Sequence, residues 1–258
     1  MTEPAATDHS DAAPLAGKAA LITGAARRVG AAIAQALHAA GASVVLHYRS
    51  SAEEAASLAQ RLNGARPGSA ALVQGDLLDG SAVAELAHTA VTAFGGLDIL
   101  VNNASSFYPT PVGDIDDDDW NDLIGTNLKA PLFLAQAAAA ALRERGGLIV
   151  NLADIHGMRP LRRHPVYCVA KAGLIMLTKS LARELGPQVR VNAIAPGPVM
   201  WPEDGVDAAL RAQIIGRTAL KRIGSAEDVA RAVLFFACAA PFVTGQILAV
   251  DGGRSIGW

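Results

Sequence analysis

The sequence predicts an α/β protein built on one doubly wound, seven-stranded parallel sheet with helices on both faces. Three observations predict it. Seven short apolar or β-branched runs alternate with longer alanine-rich helical stretches, a glycine-containing turn directly follows the first run, and the runs are too continuously apolar to face water on either side.

Ala19–Ile22 and Ser43–His47 open the series as buried strands, with Val29–Ala40 between them as the first helix. Ala52–Leu62 is the second helix, and Ala70–Gln74 is the third strand. Ser81–Phe94 then leads to the strand Ile99–Val101, and a long helix is predicted over Trp120–Arg143. Leu148–Leu152, the helix Tyr167–Leu185, Val189–Ile194, the helix Ala226–Cys238 and Ile247–Val250 complete the sheet. Alanine is a strong helix former, so the cluster Ala137–Ala141 reads as tight helix packing. The acidic run Asp116–Asp119 suits the positive end of a helix dipole. No internal repeat occurs.

A chain of 258 residues is long enough for one sizeable domain, and composition does not break along it. We assign 17–258 to that domain and 1–16 to a polar, alanine-rich flexible tail. Hydrophobic residues make up 51% and charged residues 18%, and a net charge of -2 gives no general attraction to nucleic acid. The two cysteines, Cys168 and Cys238, make no disulfide framework and match no metal-ligand spacing. No stretch reaches ~18 uninterrupted apolar residues, and Met1–Ala16 lacks the basic-then-apolar order of a signal peptide. The expectation is a cytoplasmic protein without a metal, a membrane partner or a nucleic-acid partner.

The first strand runs into Thr23-Gly24-Ala25-Ala26-Arg27-Arg28-Val29-Gly30, a turn whose glycines let the backbone approach a pyrophosphate at the next helix N-terminus. A strand before it and a helix after it make this a Rossmann-type dinucleotide loop, with Gly24, Arg28, Val29 and Gly30 in contact with cofactor. An Asp or Glu near the end of strand two would bind the ribose of NAD and repel a 2′-phosphate. None is present. His47, Tyr48, Arg49, Ser50 and Ser51 stand there instead and, with Arg28, offer cationic and hydroxyl donors suited to the phosphate of NADPH. Asp76 and Leu77, after strand three, are expected beside the adenine.

Tyr167 and Lys171 lie four residues apart, on one face of a helix. An ammonium beside a phenol stabilises tyrosinate and lowers the phenol pKa toward a range useful for proton transfer.

Taken with Asn103 after the fourth strand, Asn127 in the long helix, and Pro196-Gly197 after the sixth, this pair resembles the short-chain dehydrogenase/reductase family over residues 18–253. The resemblance implies that Asn102-Asn103-Ala104 shapes the cofactor floor and that Asn127 helps hold a proton-relay water. It also implies that Tyr167 donates a proton, Lys171 orients the nicotinamide ribose, and Pro196 and Gly197 contact cofactor.

One departure narrows the resemblance. Thirteen residues before the tyrosine, where the family has serine, this chain has Asp154. An ionised carboxylate there repels the alkoxide of a reduced ketone and raises the tyrosine pKa. A carboxylic acid beside a tyrosine can relay protons to a basic ring nitrogen, and an Asp/Tyr/Lys set resembles the pteridine reductases. So do Leu46–Ser51, the loop with Arg28 at the family's middle glycine, and Asn102-Asn-Ala-Ser-Ser-Phe-Tyr-Pro109. That likeness implies that Ser105 reaches both cofactor phosphate and pterin and that Phe107 sandwiches the pterin against nicotinamide. Substrate contacts are thus assigned to Ser105, Phe107, Asp154 and Tyr167. The lid segment 199–217 is short.

The reaction implied is NADPH-dependent reduction of dihydropterins, with oxidised pterins, dihydrofolate and folate sharing the recognised ring. A 3-oxoacyl carrier-protein reductase or other ketone reductase is the rival reading, and a non-catalytic NADPH-binding redox sensor is a third. Family members commonly pair their two longest helices into four-helix interfaces, so a homotetramer is expected.

Overall fold

The computed structural model describes residues 13–201, 205 and 207–257. Its strands are β1 (Ala19–Ile22), β2 (Ser43–Tyr48), β3 (Ala70–Gln74), β4 (Ile99–Asn102), β5 (Leu148–Leu152), β6 (Arg190–Pro196) and β7 (Ile247–Val250). They form one parallel sheet in the order β3-β2-β1-β4-β5-β6-β7. The chain first builds outward from β1 to β3 and then returns to build from β4 to β7. Ligands of such sheets bind at the strands' C-terminal ends near this reversal.

Between the strands run α1 (Arg28–Ala39), α2 (Ala52–Ala65), α3 (Gly80–Ala93), α4 (Asp117–Ile124), α5 (Ala130–Arg145), α6 (Pro165–Leu185), α7 (Ala208–Gly216) and α8 (Ala226–Leu234). Strand side chains alternate between two cores, as a pleated backbone requires. Ala20, Ile22 and Val150 pack with Ile33 and Leu37 of α1, Leu58 of α2 and Val233 of α8. Leu21, Leu100 and Ile149 face the other way, onto Leu86 of α3, Leu134 of α5 and Leu185 of α6. Every residue of β1, β4 and β5 is buried, which accounts for their mostly apolar character; the two polar exceptions, Asn102 and Asn151, hydrogen-bond each other at 2.8 Å.

Three expectations need correction. The long helix is two helices joined by a π-helical turn over Gly125–Lys129, a widening of the ladder that occurs often at functional sites. Within the expected tail, residues 1–12 lie outside the described residues, but Leu15 is 4% exposed and its amide donates to the carbonyl of Ala40 at 2.8 Å. Ordered packing therefore begins before residue 17. The lid contains α7, capped by the Asp207 carboxylate accepting from the amide of Leu210 at 2.8 Å. None of its residues is buried, so it lacks the strong apolar period that reveals a helix. Residues 202–204 and 206 of that segment lie outside the described residues. Asp116 caps α4 by accepting from Asp119, as an acidic helix start requires.

Candidate active site

The C-terminal ends of β1 and β4 are bolted together by two side chains. Thr23 is buried, and its hydroxyl oxygen accepts from the amides of Asn103 at 2.9 Å and Ala104 at 3.0 Å. The Asn103 carboxamide donates to the carbonyls of Thr23 and Gly24 at 2.8 and 3.1 Å. Asn103 and Ala104 thereby shape the floor under the glycine-rich loop. Gly30 is obligatory: a Cβ there would stand 2.1 Å from the Gly24 carbonyl oxygen and 2.6 Å from Asn103 Nδ2.

A cavity of about 430 Å³ opens above this floor. Gly24, Val29, Gly30, Tyr48, Arg49, Ser50, Ser51, Asp76, Leu77 and Ala104 line it, as the sequence predicted. Arg27 lines it too, and sequence reasoning passed over that residue. The residues fit a dinucleotide. No side chain caps α1, so its first amides point toward the place a pyrophosphate takes. No carboxylate ends β2.

The two loop arginines diverge. Arg28 takes φ 54°, and its guanidinium donates to the carbonyl of Trp201 at 3.1 Å, on the segment after β6. Arg27 turns the other way, 3.8 Å from Glu54 at the start of α2. Arg27 thus sits on the side of β2 and α2, while Arg28, which also lines the cavity, reaches toward the segment after β6. His47 lines the cavity as expected, but it is 2% exposed and both ring nitrogens are hydrogen-bonded within the protein.

The residues expected to be catalytic lie beyond Ser105, which lines the cavity. Tyr167 stands in the first turn of α6 and is 4% exposed. Its hydroxyl donates to Asp154 Oδ2 at 2.8 Å, and Asp154 Oδ1 accepts from the amide of His156 at 2.8 Å. Asp154 follows β5 and starts a short 3₁₀ turn, Ile155–Gly157, that packs directly on α6. A Cβ on Gly157 would meet the Lys171 carbonyl carbon at 2.8 Å, so only glycine allows this approach. Lys171 is fully buried, donates to the carbonyl of Leu152 at 2.9 Å, and has its ammonium 5.6 Å from the Tyr167 ring centroid.

Burial pulls the Lys171 ammonium down to about 8, against the opposing pull of Asp154. Burial, and then the Asp154 carboxylate, push the Tyr167 phenol well above its ordinary range, while the Ser105 hydroxyl acts weakly the other way. Burial, with the upward push expected of Asp154, thus outweighs the expected acidification by lysine. The protonated phenol is thereby favoured.

Phe107 packs edge-on against Tyr167 with ring centroids 4.8 Å apart. Its ring also stacks on His164, at 4.8 Å and 12°, a partner the sequence did not suggest because stacking neighbours leave no local pattern. Phe107 remains 53% exposed. Asn127 lies in the π-helical turn, where its carboxamide is committed to the Phe107 loop. Its Oδ1 accepts from the Ser105 hydroxyl at 2.6 Å, and its Nδ2 donates to the carbonyls of Ser106 and Leu123, each at 2.9 Å. Its side chain therefore positions Ser105 and Ser106. Pro196 ends β6 and Gly197 follows it, the Gly197 amide donating to the carbonyl of Val250 at 3.0 Å. Among the described residues no group of three His, Cys, Asp or Glu is placed to hold a metal, and no helix is long and apolar enough to cross a membrane.

A family model described as enoyl-(acyl carrier protein) reductase matches residues 24–255. Pteridine reductase 1 of Leishmania tarentolae is 39% identical over 92% of this chain and 96% of its own. The chain belongs to the short-chain dehydrogenase/reductase family. Another such relative, the 3-oxoacyl-[acyl-carrier-protein] reductase FabG of Staphylococcus aureus (strain Mu50 / ATCC 700699), is 36% identical over 92% of this chain and 97% of its own. A solved structure, a blue fluorescent protein from a metagenomic library in complex with NADPH, superposes with a TM-score of 0.88 at 33% identity, covering 93% of this chain and 99% of that one. As a short-chain dehydrogenase/reductase, this chain is an NAD(P)-dependent oxidoreductase.

Proposed function

We propose that this short-chain dehydrogenase/reductase is an NADPH-dependent pteridine reductase acting on dihydropterins, with oxidised pterins, dihydrofolate and folate as further substrates of the same ring. The observation that carries this reading is the 2.8 Å hydrogen bond from Tyr167 to a carboxylate, Asp154, at the position where a ketone reductase has a serine. The likeness to a pteridine reductase supports it. Similarity to a 3-oxoacyl reductase is nearly as high, and the ketone reading rests on that similarity alone.

When bound, the reduced nicotinamide supplies a hydride. The residues of this chain supply the proton and the geometry. Gly24, Gly30, Arg27, Arg49, Ser50 and Ser51 would hold the phosphates, and Lys171 the nicotinamide ribose. Phe107 offers an exposed aromatic face for a flat heterocycle, next to the phenol that must reach it. A ring carbon that accepts hydride leaves the adjacent nitrogen needing a proton, and Tyr167, protonated across the working range, donates it. Asp154 holds that hydroxyl in place and takes part in its reprotonation. An alkoxide formed from a ketone would instead meet the negative field of Asp154.

Following NADPH oxidation with dihydrobiopterin, dihydrofolate, a 3-oxoacyl thioester and a quinone side by side tests the reading. Turnover of the pterins is expected; turnover confined to the thioester would replace this assignment with the ketone one, and dinucleotide binding without any turnover would leave the redox sensor.

We further propose a homotetramer in the cytoplasm. Leu132 and Phe133 of α5 and Val169 and Met176 of α6 are exposed apolar residues on the two helices expected to pair. Cys168 and Cys238 are free thiols, as a reducing compartment allows. A monomer by light scattering at micromolar concentration would overturn the tetramer.

A further inference from the structure

His47 ends the buried part of β2 with both ring nitrogens occupied. Nδ1 lies 3.1 Å from the amide nitrogen of Gly24, and Nε2 lies 3.1 Å from the carbonyl oxygen of Gly75. An amide can only donate and a carbonyl can only accept. Nδ1 therefore presents its lone pair, Nε2 carries the proton, and the ring is neutral. The two partners belong to different walls of the dinucleotide cavity. Gly24 opens the glycine-rich loop, and Gly75 directly precedes Asp76 and Leu77. The backbone carbonyl of His47 also accepts from Ala25 at 2.8 Å, so this one residue fixes two successive amides of the loop.

We propose that His47 is a positioning residue of the dinucleotide site, a neutral imidazole that ties the glycine-rich loop to the adenosine-side turn after β3 and releases the loop when it takes a second proton, while its Nε2–H stays on the Gly75 carbonyl. The inference rests on the dinucleotide site described above and is independent of which substrate is reduced. Protonation turns Nδ1 into a donor facing the donor of Gly24. The Gly24 amide then loses its acceptor while the buried ring gains a charge, so the tie through the ring between the glycine-rich loop and the turn after β3 is broken on the loop side. Burial disfavours the charged ring and outweighs the Gly75 carbonyl and the Asp76 carboxylate, which favour it. The loss of cofactor binding therefore falls below the ordinary histidine range of about 6.5. Around the ring, the turn after β3 contributes Asp76, the glycine-rich loop contributes Arg27 and Arg28, and the end of β2 contributes Tyr48 and Arg49.

The test is titration of the full chain with NADPH and with NADH, followed by nicotinamide fluorescence, between about pH 5 and 8. Wild type is compared with His47→Asn and His47→Phe. NADH lacks the 2′-phosphate, so acid weakening shared by both dinucleotides belongs to the protein and not to the titration of that phosphate. Wild-type affinity for both is expected to fall by about fivefold or more on acidification, the scale of one lost buried hydrogen bond. His47→Asn offers a carboxamide that accepts and donates without titrating, and it should flatten the profile. His47→Phe should weaken both dinucleotides by about tenfold at pH 7.5 and also lose the pH dependence. A His47→Asn profile parallel to wild type overturns the proposal, as does His47→Phe binding like wild type. Circular dichroism checks folding, and should His47→Phe not fold, the His47→Asn profile decides alone. A wild type that binds NADH equally well at both ends of the range also overturns it, whereas a wild type that binds neither dinucleotide at any pH removes the dinucleotide site itself.

Discussion

The hydroxyl of Tyr167 donates to Asp154 Oδ2 across 2.8 Å, while the ammonium of Lys171 is turned onto the carbonyl of Leu152 at 2.9 Å. The carboxylate rather than the ammonium is thus the direct partner of the phenol. That order explains why the phenol is held protonated, and it separates this site from one built to stabilise an alkoxide.

Replacing Asp154 should therefore change the reaction more than the fold. Asp154→Ser is expected to lower kcat with dihydrobiopterin by roughly 10²-fold, the scale of a lost group in acid–base catalysis, while NADPH binding stays nearly intact. Weak ketone reduction is expected to appear, because serine restores the usual carbonyl-binding group. Unchanged pterin turnover would remove Asp154 from the mechanism and restore the ketone reading.

Most of this arrangement was legible in the sequence because it is written in local periods. The alternation of apolar runs gave all seven strands, and the four-residue interval gave the pairing of Tyr167 with Lys171 on one helix face. What was not legible depends on contacts between distant segments. His164 meets Phe107 only after two loops fold together, and the direction of Arg27 and Arg28 depends on a single left-handed residue. The raised Tyr167 phenol depends first on burial, which spacing does not encode, and then on Asp154, which the sequence showed.

The divergence of the loop arginines separates cofactor choice from lid anchoring. Arg27→Ala is expected to weaken NADPH by about tenfold, as loss of one charged phosphate contact does, and to leave NADH nearly unchanged. Arg28→Ala removes the contact to Trp201 and should raise KM for the reducible substrate with little effect on the ratio of the two dinucleotide affinities. Dissociation constants for both dinucleotides in both variants check this, and an Arg28→Ala protein that alone loses NADPH preference would reverse the assignment.

Asp122 of α4 carries the weight of the Phe107 loop from outside the site. Its Oδ1 accepts from the hydroxyl of Ser106 at 3.1 Å, and the Tyr108 phenol, pushed up to about 12 by burial and then by its hydrogen bond to Asp122, is held on the same carboxylate. Both neighbours of Phe107 are thereby fixed. Asp122→Ala is expected to raise KM for dihydrobiopterin about fivefold or more, with a smaller change in kcat and none in NADPH affinity. Steady-state kinetics beside a cofactor titration separate this from general unfolding, which would lower cofactor affinity as well.

Lys171 makes the stability of the cofactor-free protein depend on alkaline pH. Burial lowers its pKa from 10.5 to about 8, so the folded state gives up the lysine proton before the unfolded chain does. Below about 8 the lysine is charged in both states, and the full cost of burying that charge is present. Between about 8 and 10.5 the unfolded chain binds more protons than the folded one, and stability rises with pH. Across the whole interval the gain attributable to this group approaches roughly 3 kcal/mol, treating each pK unit as about 1.4 kcal/mol. Lys171→Met keeps an unbranched apolar stem and removes the titration. It also leaves the Leu152 carbonyl without its donor, a penalty that does not vary with pH, so the informative quantity is the slope of the difference between the two proteins and not its value at any one pH. Urea unfolding of wild type and Lys171→Met from pH 7 to 10 should show wild type gaining on the variant as pH rises. A difference that stays flat over that range would mean that the buried ammonium is not desolvated as its position beneath Tyr167 requires.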